Sequence, residues 1–263
     1  MAILDRFRLD GKVAMITGAG KGIGAAIAVA YAEAGADVVL AARTRADLER
    51  VAESVRALGR RALVVPTDVL VEDQLQRLLD DTLAQWQRVD VLVNNAGGYL
   101  PKPALRTSTA DLERAFRFNV STAFALSRLA APHMAETDGA AIVNISSVVG
   151  QEPSAGFLAY GTAKAALSFM TRELAAEFAP RIRVNAIAVG STRTEALQTV
   201  LTPEIEQTME ALTPLGRLGE VEDMAACALY LASPAGAYVS GEVIGVHGGL
   251  NGLNMTMPRA FSD

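Results

Sequence analysis

Short apolar runs alternate with longer amphipathic stretches, and this alternation predicts the elements of the chain. β-type runs fall at Val13–Thr17, Val38–Ala41, Ala62–Pro66, Val89–Val93, Ala141–Ile145, Arg183–Ala188 and Glu242–Val246. Between them, Leu48–Leu58, Gln74–Trp86, Leu112–Ala131 and Phe157–Phe178 carry apolar residues at helical spacing. In the last of these, Tyr160, Ala163, Leu167, Met170, Leu174 and Phe178 recur every three or four positions and mark one packed face. Strand–helix alternation of this kind predicts an α/β fold, a doubly wound parallel sheet of about seven strands with helices on both faces. No composition break, Pro/Ser-rich linker or repeat interrupts it, so residues 1–263 read as one domain.

In an open α/β sheet, ligands gather at the carboxyl ends of the strands. The first run ends in Thr17-Gly18-Ala19-Gly20-Lys21-Gly22-Ile23-Gly24, and a helical stretch, Ala25–Ala34, follows with a glycine stop at Gly35. Glycines let the backbone turn tightly and approach a pyrophosphate, and a helix N-terminus presents free N–H groups. The spacing is G-x-x-x-G-x-G, on Gly18, Gly22 and Gly24; the commoner G-x-G-x-x-G fails because Ile23 stands at its third glycine. A glycine turn serving only close strand–helix packing is the competing reading.

Tyr160-Gly161-Thr162-Ala163-Lys164 adds candidate chemistry, with Ser147 thirteen residues upstream. A lysine four positions on lies on the same helix face, where its charge would stabilise a phenolate and pull the tyrosine towards neutral pH. A nearby hydroxyl would hold a carbonyl oxygen for that proton. Alone, such a pair is usually a half-buried aromatic beside a solvated cation; its company argues for a reaction centre.

Composition narrows the classes. With 51% hydrophobic and 20% charged residues, the chain is expected to be packed rather than disordered. A net charge of −5 without a basic stripe argues against nucleic acid as a partner. Cys227 is the only cysteine, so no internal disulfide forms, and with His133 and His247 it makes no metal-ligand spacing. Met1 to Lys12 lacks the apolar core of a signal peptide, and no apolar run reaches membrane-spanning length. A cytoplasmic enzyme, neither membrane-bound nor metal-dependent, is the expectation.

Together these motifs resemble the short-chain dehydrogenase/reductase family, in its shorter branch with one Rossmann-type domain. The likeness covers nearly the whole chain and rests on Thr17–Gly24, Asp68-Val69, Asn94-Asn95-Ala96-Gly97, Asn119, Ser147, Tyr160–Lys164 and Arg183-Val184-Asn185. It implies that Gly18, Gly22 and Gly24 line the pyrophosphate of a nicotinamide dinucleotide, with Lys21 and Ile23 of the same loop also binding the cofactor. Asp68 and Val69 would meet the adenine, with Asn94, Asn95, Ala96 and Gly97 on the adenosine side. It also implies a catalytic tetrad of Asn119, Ser147, Tyr160 and Lys164. There Tyr160 passes the proton, Ser147 holds the substrate oxygen, and Lys164 holds the nicotinamide ribose and lowers the tyrosine pKa. Asn119, inside the helix 112–131, would anchor a water. Val189, Gly190, Thr192 and Thr194 would flank the carboxamide, with Val189 standing where the family usually has proline, so slack is expected there.

Charge argues for NADP(H). NAD-preferring forms carry an acidic residue where Ala42 stands, whereas this chain has Arg43 beside it and Lys21 in the glycine loop, two cations without an anion. The resemblance makes Thr194–Leu218 a lid, and its sequence is similar to bacterial 7α-hydroxysteroid dehydrogenases. Leu197, Val200, Leu201, Met209 and Leu212 would form either an apolar substrate wall or one face of a packed helical hairpin. The reading is therefore an oxidoreductase interconverting a secondary alcohol and a ketone, of hydroxysteroid type. A 3-oxoacyl thioester reductase is the alternative, and a non-catalytic NADP-binding regulatory protein a further one. The resemblance also implies a homotetramer, while the tail from His247 to Asp263 either reaches a neighbouring site or hangs loose.

Overall fold

The computed structural model describes residues 2–199 and 201–255. Seven strands, β1 (Val13–Thr17), β2 (Asp37–Ala42), β3 (Ala62–Pro66), β4 (Val91–Asn94), β5 (Ala140–Ser147), β6 (Ile182–Val189) and β7 (Val243–Val246), form one parallel sheet in the order 3-2-1-4-5-6-7. Among the described residues the helices are α1 (Gly22–Glu33), α2 (Arg45–Ala57), α3 (Glu72–Trp86), α4 (Thr109–Phe116), α5 (Thr122–Met134), α6 (Leu158–Phe178), α7 (Glu195–Gln198), α8 (Pro203–Ala211) and α9 (Val221–Ala232). All seven expected runs are strands, two with the expected ends and the others displaced by at most two residues.

The period of two along each strand explains why its residues are buried on both sides. Ala14 and Ile16 of β1, with Val38 and Leu40 of β2, pack beneath Ile27 of α1, Val51 of α2 and Leu231 of α9. Val13 and Met15, with Val39 and Ala41, point the other way, against Leu78 of α3, Leu126 of α5 and Leu174 of α6. A parallel sheet covered on both faces reads as continuous apolar runs, as β1 and β5 do.

β1 pairs with β2 on one side and β4 on the other, so successive connections leave in opposite directions at the carboxyl end of β1. That reversal opens the crevice where such sheets bind ligands. The helix expected over 112–131 is interrupted. A π-turn at Arg117–Ser121 separates α4 from α5, and Asn119 sits in it rather than in regular helix. Such turns often mark functional positions, because the extra residue frees a carbonyl and re-aims the side chains.

Candidate active site

At the crevice lies a cleft of about 500 Å³, and Gly18, Lys21, Gly22, Ile23, Arg43, Asp68, Val69, Asn95, Ala96, Gly97 and Thr194 are in its wall. Gly18 and Gly22 have φ of +63° and +54°, conformations that favour glycine. A Cβ on Gly18 would stand 2.6 Å from Asn95 Nδ2, and one on Gly24 would collide with the Gly18 carbonyl oxygen. Gly24 thus serves the close approach of α1 to its own loop and stays out of the wall, while Gly18 and Gly22 leave backbone bare on it. A backbone cradle at the start of α1 fits a dinucleotide pyrophosphate.

Asn95 and Asn94 divide the labour in a way their adjacency conceals. Asn95 donates from Nδ2 to the carbonyls of Thr17 (3.0 Å) and Gly18 (3.1 Å), tying β4 to the glycine loop. The expectation that Asn94 faces the adenosine is corrected: its buried amide donates to Ser127 Oγ (3.0 Å) and Asn144 Oδ1 (2.9 Å). Strand pleating sends consecutive side chains to opposite faces, so only one of the pair could reach the cleft.

Tyr160 and Lys164 project from α6, and Ser147 ends β5. Lys164 is 3% exposed; its Nζ donates to the Ile145 carbonyl (2.7 Å) and lies 5.6 Å from the centre of the Tyr160 ring. Burial pushes its ammonium down to about 7. The half-buried Tyr160 phenol is held above its ordinary value by burial, with the Ser147 hydroxyl pulling the other way. The expected lowering of the tyrosine by the lysine is therefore not met in the chain alone. Burial acts on both groups, in each case against the charged form.

Asn119 is 1% exposed and fully engaged: Nδ2 donates to the carbonyls of Ala115 (2.8 Å) and Gly98 (3.1 Å), and Oδ1 accepts from the Gly98 N–H (2.8 Å). Between it and Lys164 lies Gly97. A Cβ there would stand 2.7 Å from Asn119 Oδ1 and 3.1 Å from Lys164 Nζ. Gly97→Ala is expected to displace the ammonium and lower kcat about tenfold, while the Tm falls by only a few degrees. Steady-state kinetics beside a thermal melt check this; an unchanged kcat would mean that the ammonium position is immaterial.

Val189 pairs with Ser147 on one side and Val246 on the other, and the Gly190 N–H donates to the Val246 carbonyl (3.0 Å). The position where proline was expected is thus paired within the sheet on both sides. Thr192 is buried and hydrogen-bonds the Gly190 carbonyl (3.1 Å). It, Val189, Gly190, Tyr160 and Lys164 lie outside the wall of the cleft described above. Thr194 Oγ1 accepts from the Leu197 N–H (3.2 Å), capping α7 and leaving its hydroxyl hydrogen free to donate.

The segment expected to act as a lid, Thr194–Leu218, carries α7, α8 and their links. Met209 is buried at 1%, Leu212 is 55% exposed, and Leu197 and Leu201 are half-buried; Val200 lies outside the described residues. Arg193 holds α8 through Glu210 (2.7 Å) and Glu206, and reaches Glu220 (3.2 Å). Asn254 had no signal in the sequence. It is 2% exposed, donates to the Met209 carbonyl (2.9 Å) and Thr213 Oγ1 (2.8 Å), and accepts from Ser191 Oγ. The tail to Met255 thus folds back on α8 and Thr213 of its own chain, and Leu250 and Leu253 pack with Val148, Val149, Phe157 and Tyr160. Residues 256–263, where the expectation of a tail reaching a neighbour also falls, lie outside the described residues. Sequence reading likewise did not place Thr67, Leu70, Phe118, Glu195 or Ala196 at the cofactor, and all five line the cleft.

Among the described residues, no helix is long and apolar enough to cross a membrane, and no group of three His, Cys, Asp or Glu side chains is placed to hold a metal ion.

Comparison with known proteins bears on this geometry. The profile of a family described as enoyl-(acyl carrier protein) reductase matches residues 18–251. An uncharacterised oxidoreductase of Mycobacterium tuberculosis is 50% identical over 97% of this chain and 98% of its own. The 7α-hydroxysteroid dehydrogenase of Escherichia coli is 43% identical over 93% of this chain and 96% of its own. A solved 7α-hydroxysteroid dehydrogenase, in complex with NADH and 7-oxo glycochenodeoxycholic acid, superposes with a TM-score of 0.90 at 42% identity, covering 95% of this chain and 98% of that one.

Proposed function

The chain belongs to the short-chain dehydrogenase/reductase family of oxidoreductases acting on CH–OH groups with a nicotinamide cofactor, and from that premise we propose an NADP(H)-dependent enzyme interconverting a hydroxysteroid-type alcohol and its ketone. The observation that carries the chemistry is the convergence of Asn119, Lys164, Tyr160 and Ser147 around Gly97 and the end of β5. Likeness to 7α-hydroxysteroid dehydrogenase over more than nine-tenths of both chains supports the substrate class. The cofactor preference rests on this chain's own residues: Ala42 at the end of β2 offers no carboxylate to a ribose, and Arg43 beside it is exposed and makes no ion pair among the described residues.

When bound, the nicotinamide supplies or takes up the hydride. Tyr160 moves the proton at its Oη: held above its ordinary value, the phenol is protonated at neutral pH, the state that can give a proton to a carbonyl oxygen. Ser147 Oγ donates to that same oxygen and fixes its place. The buried Lys164 ammonium donates toward the ribose and the phenol. Asn119, saturated by Gly98 and Ala115, keeps the loop at Gly97 against the lysine. Glycine cradle, bare backbone and adjacent cations together suit the pyrophosphate and the 2′-phosphate of the dinucleotide.

NADPH oxidation measured with 7-oxo glycochenodeoxycholic acid and with an acetoacetyl thioester tests the reading. The ketosteroid is expected to give a kcat/KM higher by about tenfold or more. Faster turnover of the thioester overturns the hydroxysteroid reading in favour of a 3-oxoacyl thioester reductase. Tight NADPH binding without turnover of either would point to a regulatory protein.

A further inference from the structure

The two cations near the cleft are not equivalent. Arg43 stands exposed without an ion pair among the described residues, whereas Lys21, which precedes α1, is held between two carboxylates. Its Nζ lies 3.2 Å from Glu195 Oε2 at the start of the lid and 3.6 Å from Asp47 Oδ2 in the first turn of α2. Glu195 and Asp47 hold the ammonium above its ordinary value, Glu195 through a hydrogen bond and Asp47 through its charge. The lid already touches the glycine loop here: a Cβ on Gly22 would meet Thr194 Cγ2 at 3.5 Å. Both Lys21 and Glu195 line the cleft.

We propose that Glu195 is a specificity-determining residue that weakens the preference for the 2′-phosphorylated dinucleotide by competing for Lys21. The inference rests on the cofactor reading above and deepens it. Lys21 and Glu195 side chains are 50% and 60% exposed, so their pair is weak and exchangeable. A phosphate dianion offers Lys21 shorter, stronger charge-assisted bonds than a hydrated carboxylate does. To make them, the ammonium leaves Glu195, whose unneutralised charge then stays on the wall facing the phosphate. The dinucleotide lacking the 2′-phosphate has no such group to exchange, and its binding is indifferent to the contest. Glu195 therefore acts through Lys21, as a positioning residue for a cofactor contact.

Dissociation constants for NADPH and NADH, from fluorescence titration at one low ionic strength, test this on wild type, Glu195→Gln, Lys21→Met and the double variant. Glu195→Gln is expected to tighten NADPH about 2- to 5-fold and NADH by less than about 1.5-fold, the range of one exposed ion pair. In the Lys21→Met background most of that gain should vanish. An unchanged NADPH/NADH ratio in Glu195→Gln overturns the inference alone, as does an equal gain without Lys21; a general structural effect would shift both dinucleotides together. A wild type that binds NADH more tightly removes the cofactor reading, and this inference with it.

Discussion

Tyr160→Phe is expected to lower kcat by about 10²- to 10⁴-fold, the span of a lost general acid–base group, while NADPH binds as before. The substitution removes one oxygen and keeps the ring. Packing of that ring with Val148, Val149, Phe157 and Leu250, and its 5.6 Å approach to Lys164 Nζ, should therefore persist. What disappears is the hydroxyl proposed to hand a proton to the substrate oxygen. Single-turnover kinetics and a dinucleotide titration on the same preparation separate chemistry from binding. A phenylalanine variant retaining more than about a tenth of the wild-type kcat would show that the proton travels by another route.

The second large effect concerns the cofactor. An arginine can offer a 2′-phosphate two parallel charge-assisted hydrogen bonds that a plain ribose does not use. Such bonds contribute roughly 1.5–3 kcal/mol, so Arg43→Ala is expected to weaken NADPH by about 10- to 100-fold and leave NADH nearly unchanged. Adding Ala42→Asp goes further: the carboxylate repels the phosphate and accepts hydrogen bonds from the free ribose hydroxyls. The double variant should prefer NADH. kcat/KM for both dinucleotides at one salt concentration decides the matter, and a wild type already preferring NADH sinks it.

The positions of the strands and of the main helices were legible because burial on both faces writes itself into a strand as an unbroken apolar run, and burial on one face writes itself into a helix as a stripe. Parallel strands need crossovers, so the alternation carried the sheet type with it. The glycine loop was legible too, since a backbone that must take positive φ or touch another backbone leaves glycine little competition; Gly18, Gly22 and Gly24 each answer to one of those needs. Tyr160 and Lys164 were legible as a pair because one helical turn joins them.

Tertiary structure decided what depends on residues far apart in the chain. Asn94 and Asn95 look alike in sequence, and only the pleat of β4 sends one into the sheet and the other to the glycine loop. Asn119 was expected in a continuous helix, but hydrogen bonding to Gly98, twenty-one positions away, accompanies a π-turn that no local periodicity announces. Two cations without an anion was a correct count of neighbours along the chain and an incorrect one in space: folding brings Asp47 and Glu195 to Lys21, while no carboxylate among the described residues pairs with Arg43. Asn254 is the extreme case, a polar residue near the C-terminus whose lid contacts lie more than forty positions away. Spacing along a helix or strand is a local geometric quantity and is written in the sequence. Which charge faces which, and what a buried amide holds, depends on where distant segments are brought by the sheet, and the fold alone sets that.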